Sequence, residues 1–175
     1  MNYELQNIIS GIEQVKHGAT LQTIISYLSR SQETSRLVEK SKHFKNQETK
    51  RLIDFIEDNK LWIAVDLDQY LSEGAKQKVY LKDEKWVWKL NDIIYYESWY
   101  DYFINLLLNN YFFPTTAYNL KGFFSNNAVL YAVVEQPFIK ATEKTDLENV
   151  KIFMTNNGFV NTRNNDFIIQ NQKSF

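Results

Sequence analysis

The sequence contains no cysteine, two histidines, two prolines and five glycines in 175 residues. Without thiols there is no disulfide framework, no thiolate zinc site and no cysteine nucleophile, and His17 and His43 are too few for a multi-histidine metal centre. Catalysis, if any, must use carboxylates, lysines or hydroxyls. An excess of charge is also missing. Twenty Lys and Arg against twenty-one Asp and Glu leave a formal net charge of -1, so no global basic field recruits nucleic acid or an anionic membrane. No apolar run approaches the ~20 residues of a membrane span. The first residues carry Glu4 where a secretory leader would carry cations. These absences lead us to expect a cytoplasmic chain with no nucleic-acid or membrane partner; a protein partner stays open.

What is present suits a folded chain: 44% hydrophobic, 23% charged and 15% aromatic residues give one domain of ordinary size, or a small domain with an appendage. Up to about residue 60 there is no proline, and apolar residues recur at helical spacing. Ile8, Ile9, Ile12 and Val15 form one stripe, Leu21, Ile24, Ile25 and Leu28 a second, and Leu52, Ile53, Phe55 and Ile56 a third. We read three or four short helices, broken at His17-Gly18 and with junctions at residues 31–34 and 46–48. The charges between the stripes read as solvated faces. The cluster Lys40-Ser-Lys-His-Phe-Lys45 reads as a solvated helix end rather than a nucleic-acid contact, because no wider basic face accompanies it.

From Leu61 onward the period changes to short aromatic and β-branched runs. Residues 77–82 and 85–90 flank Asp83-Glu84 as one hairpin, and residues 118–125 and 128–135 flank Asn126-Asn127 as a second. Between them, residues 93–110 read as a helix, ended by the run into Pro114. Thr145-Asp-Leu-Glu148 has capping-box spacing, and Gly158 stands where that last helix should stop. The tail beyond Asn161 is polar apart from Phe167, Ile168 and Ile169. No internal repeat and no heptad pattern is present.

The order hairpin, helix, hairpin, then a proline-marked connection is the layout of a protein-kinase N-lobe. Gly74 followed five residues later by Val79 stands where a kinase has its glycine-rich roof over the ATP phosphates. Trp86-Val-Trp-Lys89 stands where the strand bearing the ATP-anchoring lysine belongs. Val87 and Lys89 share one face by alternation. Taken alone, a lone Gly with a downstream Lys is a weak signal, and by composition Lys89 reads first as a solvated strand lysine.

Longer stretches add to this. Glu73-Gly-Ala-Lys-Gln-Lys-Val-Tyr80, Val87-Trp-Lys-Leu-Asn-Asp92, residues 98–111, Phe113-Pro-Thr-Thr-Ala-Tyr118, Gly122-Phe123, Tyr131 to Ile139 and Asn156-Asn-Gly-Phe159 resemble the kinase-like family associated with polyvalent proteins of bacterial mobile elements. The resemblance implies that Lys89 anchors ATP, that the Gly74 turn covers phosphates, and that Val134, Glu135 and Gln136, up to Phe138, form the hinge that pairs with adenine. It also implies an acidic partner for Lys89 from the following helix, with Asp101 preferred to Glu97; as helix carboxylates both can equally be solvated. In relatives, the substrate-orienting and metal-holding acids come after the point where this sequence ends. Asn165-Asp166-Phe167 lacks the glycine of a metal-binding Asp-Phe-Gly.

The expected fold is therefore α+β. A helical segment (residues 1–60) packs on a five-stranded antiparallel lobe with one helix (61–140), and a helical stub and tail follow (141–175). We expect a truncated or degenerate kinase-like protein with weak ATP binding, no required cofactor, no catalytic residues and no metal site. The alternatives are a non-catalytic interaction or regulatory module that keeps the lobe as scaffold, and one half of a split kinase. Paired carboxylates such as Glu57-Asp58 and Asp66-Leu-Asp68 have no partner cluster, so glycosidase or two-metal chemistry is unsupported. Alternation sends Trp86, Trp88 and Tyr80 to the face opposite Lys89, and we expect the N-terminal helical stripes to cover them.

Overall fold

The computed structural model describes residues 3–35, 41–74, 77–139, 144–163 and 166–169. Three helices come first: α1 (Tyr3–Ser10), α2 (Gly18–Ser35) and α3 (Ser41–Asp58). Strands β1 (Tyr70–Glu73), β2 (Lys78–Leu81) and β3 (Trp86–Asn91) follow, then helix α4 (Trp99–Phe112), a 3₁₀ turn (Pro114–Thr116), and strands β4 (Asn119–Asn126) and β5 (Val129–Pro137). Helix α5 (Leu147–Asn156) and a hairpin of β6 (Phe159–Arg163) and β7 (Asp166–Ile169) complete the chain. It divides into two compact units, residues 7–138 and residues 139–175 together with 1–6. Among the described residues no helix is long and apolar enough to cross a membrane.

The α+β expectation holds, and the larger unit contains one five-stranded sheet of order β1-β2-β3-β5-β4 with every pairing antiparallel. Register fixes its two faces. Tyr80 opposes Trp88, Trp88 opposes Glu135, and Leu90 opposes Val133, so these share the outer face. Val79 opposes Lys89 and Lys89 opposes Val134 on the inner face. Helix α4 packs on the inner face, where Trp99 stacks near Phe103 and both rings meet Phe123 of β4 edge-on. Helix α2 packs on α4 from the other side, burying Leu21, Ile24, Ile25 and Leu28. The layers run sheet, α4, α2.

The outer face overturns the covering-helix expectation. Tyr80, Leu90 and Val133 form a core cluster there with Trp88, Phe124 and Tyr131, and Ile63 and Val65 from the segment before β1 pack on it. That segment is held by the sheet edge: Ile63 N–H donates to the Phe123 carbonyl (2.9 Å), and Phe123 N–H to that of Leu61 (2.9 Å). Gly122 makes the approach possible. A Cβ on it would stand 2.4 Å from the Leu61 carbonyl oxygen, and its φ of +153° suits glycine. A short extended segment thus does the covering; the α2 stripe is used against α4 instead, while Ile12 of the first stripe is exposed.

Local signals explain the boundaries. Helix α1 ends earlier than its stripe suggests, at Ser10 before Gly11 with φ of +82°, so the expected break at His17-Gly18, where His17 takes a φ of 55°, marks only the start of α2. The polar stretches 31–34 and 46–48 interrupt nothing, since α2 runs to Ser35 and α3 is continuous through Glu48. Helix α4 starts at Trp99 rather than Ile93, because the Ser98 hydroxyl accepts the Asp101 N–H and caps it. The β4-β5 turn is made by Asn127 and Ala128, both with positive φ, one residue later than the Asn126-Asn127 reading. In α5 the cap is Asp146, not Thr145, with its carboxylate accepting from the N–H groups of Glu148 and Asn149. Gly158 follows the helix with φ of +80°. The tail read as polar contains the β6-β7 hairpin.

Candidate functional site

Lys89 lies on the inner face of β3, half-buried, between register partners Val79 and Val134. Its Nζ lies over the ring of Tyr118, 5.4 Å from the centroid, a cation–π distance. Burial pushes the Lys89 ammonium below the usual lysine range, since desolvation disfavours charge. A carboxylate that would hold it charged is missing: among the described residues neither Asp101 nor Glu97 forms an ion pair with it.

Tyr118 is the residue around which the site is arranged. Asn110 of α4 pins its backbone, accepting the Tyr118 N–H (2.7 Å) and donating to its carbonyl (2.8 Å). Its hydroxyl is pushed up by burial, against side-chain hydrogen bonds with Gln136 and Gln77. Gln77 leads out of the Gly74 turn, and Gln136 lies on β5, where its amide donates to the Thr116 carbonyl (2.6 Å) two residues before Tyr118. Two more phenols approach from α4 and the turn before it. Tyr96 is raised by burial and by the charges of Tyr118 and Asp101. Tyr102, 1% exposed, is raised well above the usual range by burial, and its hydroxyl finds no hydrogen-bond partner.

The expected site residues divide accordingly. Val79, Lys89, Val134 and Gln136 come together along the inner face. The Gly74 turn is closed by its N–H to the Gln77 carbonyl (3.0 Å), while residues 75 and 76 lie outside the described residues. Asp101, in the first turn of α4, accepts from Asn105 (3.2 Å), and Glu97 is exposed in the loop before the helix. Glu135 departs from its expected place. Its carboxylate lies on the outer face, where burial would raise it but hydrogen bonds from Lys82 and Trp88 and the charge of Lys121 hold it below its usual range. Only its backbone could serve a hinge.

That backbone has its own character. The Trp86 carbonyl accepts from Lys82 and Asp83, so Trp86 points toward β2, and its partner Pro137 points away from β3. Phe138 N–H is taken by the Lys85 carbonyl (2.7 Å). The open edge of β5 beyond residue 135, where β4 pairing ends, therefore offers the Pro137 carbonyl but no N–H from that residue.

A family model described as Serine/Threonine/Tyrosine Kinase found in polyvalent proteins matches residues 45–174. The chain belongs to this family. No curated protein and no solved structure matches it. The kinase match begins inside α3 and runs through the sheet, α4, α5 and the terminal hairpin. Were a nucleotide held on the inner face, Lys89 would be the group to meet its phosphates and the open Pro137 carbonyl the acceptor for an amino group of the base, with the Tyr118 ring already against Lys89. Among the described residues no group of three His, Asp or Glu side chains is placed to hold a metal ion. Tyr118 and Gln77 were missed as site residues although both lie inside the resembling stretches, because neither residue type marks a kinase site by itself. Tyr96 and Tyr102 fall in the span read as a helix, where nothing in their residue type marks a site.

Proposed function

We propose that this kinase-family chain binds a nucleotide weakly on the inner face of its sheet and that these residues alone do not transfer the phosphoryl group. The observation that carries the reading is a half-buried lysine kept without a carboxylate partner at the centre of the strand register, which leaves its charge free for an anionic ligand. Weakness follows from one cation, a glycine-poor roof and a hinge edge without the Pro137 N–H. Phosphoryl transfer rests on metal ions and a base to position the reacting groups, and the described residues bring no such acids together. Titration with a fluorescent ATP analogue should give a Kd of about 0.1–1 mM, weakened at least tenfold in Lys89→Met. Equal binding by the variant would refute the site. Steady magnesium-dependent phosphate release that Lys89→Met abolishes would refute the lack of transfer.

One observation favours a second reading, in which the lobe is a scaffold for protein interaction. The Tyr118 ring already stands against the Lys89 ammonium, 5.4 Å from Nζ to its centroid, and burial pushes its hydroxyl up. Under that reading the wild type does not bind nucleotide up to several millimolar, and Tyr118→Ala does not create binding.

A further inference from the structure

Helix α4 carries Asp101, and its two ends are held differently. Near its C-terminal end, Asn110 bonds to the Lys16 carbonyl (3.1 Å) as well as to both backbone groups of Tyr118. The N-terminal end is held by one face of α3. Glu48, 3% exposed, accepts the N–H groups of Trp99 (2.6 Å) and Tyr100 (3.2 Å). Thr49 accepts the Trp99 indole N–H (3.0 Å). Lys45 donates to the carbonyls of Ile93 (2.6 Å) and Tyr96 (2.9 Å), in the turn that leads into α4. Positions 45, 48 and 49 share one helix face, and together they make five bonds to the residues just ahead of Asp101. A buried carboxylate is a costly way to gain stability, since an apolar residue of similar volume usually does as well; what it adds is a fixed position for the N–H groups it accepts. The family match starts at Lys45, so this face falls within it while α1 and α2 do not.

We propose that Lys45, Glu48 and Thr49 are positioning residues for the Lys89 site, and that α3 sets where the first turn of α4, and with it Asp101, stands against the sheet. The inference rests on the nucleotide reading for its consequence but not for its test. The chain has no cysteine, so Tyr95→Cys and Ser125→Cys, both at exposed positions, provide one spin-label pair that reports the entrance of α4 against β4. In this background Glu48→Ala should shift the label distance by more than about 2 Å or broaden it, the scale of a helix displacement. Glu48→Gln keeps an acceptor and should restore it. Phe55→Leu loosens the α3 contact with Tyr27 about two helical turns further along and should leave it unchanged. Thr49→Val serves if Glu48→Ala does not fold. An unchanged distance in the Glu48 or Thr49 variant overturns the proposal, and so does a Phe55→Leu shift of the same size, which would mark a general loosening. In parallel, the fluorescent ATP analogue should bind at least threefold more weakly to Glu48→Ala and normally to Phe55→Leu. A wild type that binds no analogue refutes the nucleotide reading, while the label distance still decides the role of α3.

Discussion

Replacing Lys89 by Met should raise the thermal stability of the protein while weakening the nucleotide binding proposed above. The ammonium is half-buried, and burial has pulled its pKa down with no opposing carboxylate, so the folded state carries a net penalty for the charge. Met keeps the length and most of the volume, and it fits between Val79 and Val134. Against the relieved desolvation stands the loss of the contact with the Tyr118 ring, about 0.5–1 kcal/mol at a partly exposed site. Relief of a partly buried unpaired charge is larger, on the order of 1–3 kcal/mol. The expected net gain is about 1 kcal/mol, which for a unit of this size raises Tm by about 3–5 °C. The pH dependence follows with a definite sign. Because the folded pKa of Lys89 lies below the unfolded 10.5, the unfolded chain holds more protons between the two values, so wild-type stability rises with pH across that window. The variant lacks this rise, and its advantage should shrink as the pH approaches and passes 10.5. Scanning calorimetry at pH 7 and in alkaline buffer measures both effects. A lower Tm for Lys89→Met at pH 7, or an advantage that grows with pH, would refute the reasoning and show that Lys89 is held by a net stabilising contact.

Gly122→Ala should destabilise by about 2–4 kcal/mol, from backbone strain together with the collision with the Leu61 carbonyl; chemical denaturation checks it, and a loss under 1 kcal/mol would show that the segment before β1 can step aside. Trp99→Ala should cost about 3–5 kcal/mol, since the ring is buried among Tyr102, Phe103 and Phe123, and the same measurement should show a far smaller loss for the exposed Tyr95→Ala. Pro137→Ala, which restores an N–H to the open edge of β5, should tighten binding of the fluorescent ATP analogue by about two- to tenfold, the worth of one hydrogen bond; unchanged affinity would place the base elsewhere.

The sheet and α4 were legible because their signals are local. The changes of period, the Asn-rich turn and Pro114 are all set by neighbours in sequence, and the inner position of Lys89 follows from alternation with Val87. The α3 contacts were not legible. Residues 46–48 look like a break because polar clusters usually face water, and only the approach of α4 from fifty residues away gives Glu48 the two N–H groups that let it stay buried. The same holds for the outer face: Tyr80 and Trp88 announce that something must cover them, but the choice of Ile63 and Val65 over a helix depends on Gly122 admitting the Leu61 carbonyl, and Trp86 stays exposed. Tyr118 could be read as part of a resembling stretch, yet its position beneath Lys89 depends on Asn110 holding its backbone.

The pairing of α2 with α4 also bears on how the chain is made. Leu21, Ile24, Ile25 and Leu28 are fully or almost fully buried, and their partner helix is encoded some eighty residues later. At a synthesis rate of about 5–20 residues per second, the growing chain carries this apolar stripe without its partner for roughly 4–16 s. Helix α2 cannot reach its packing on α4, nor Lys16 its bond to Asn110, until α4 has left the ribosome. Slowing elongation between residues 30 and 110 would lengthen the exposure of this stripe to aggregation and proteolysis.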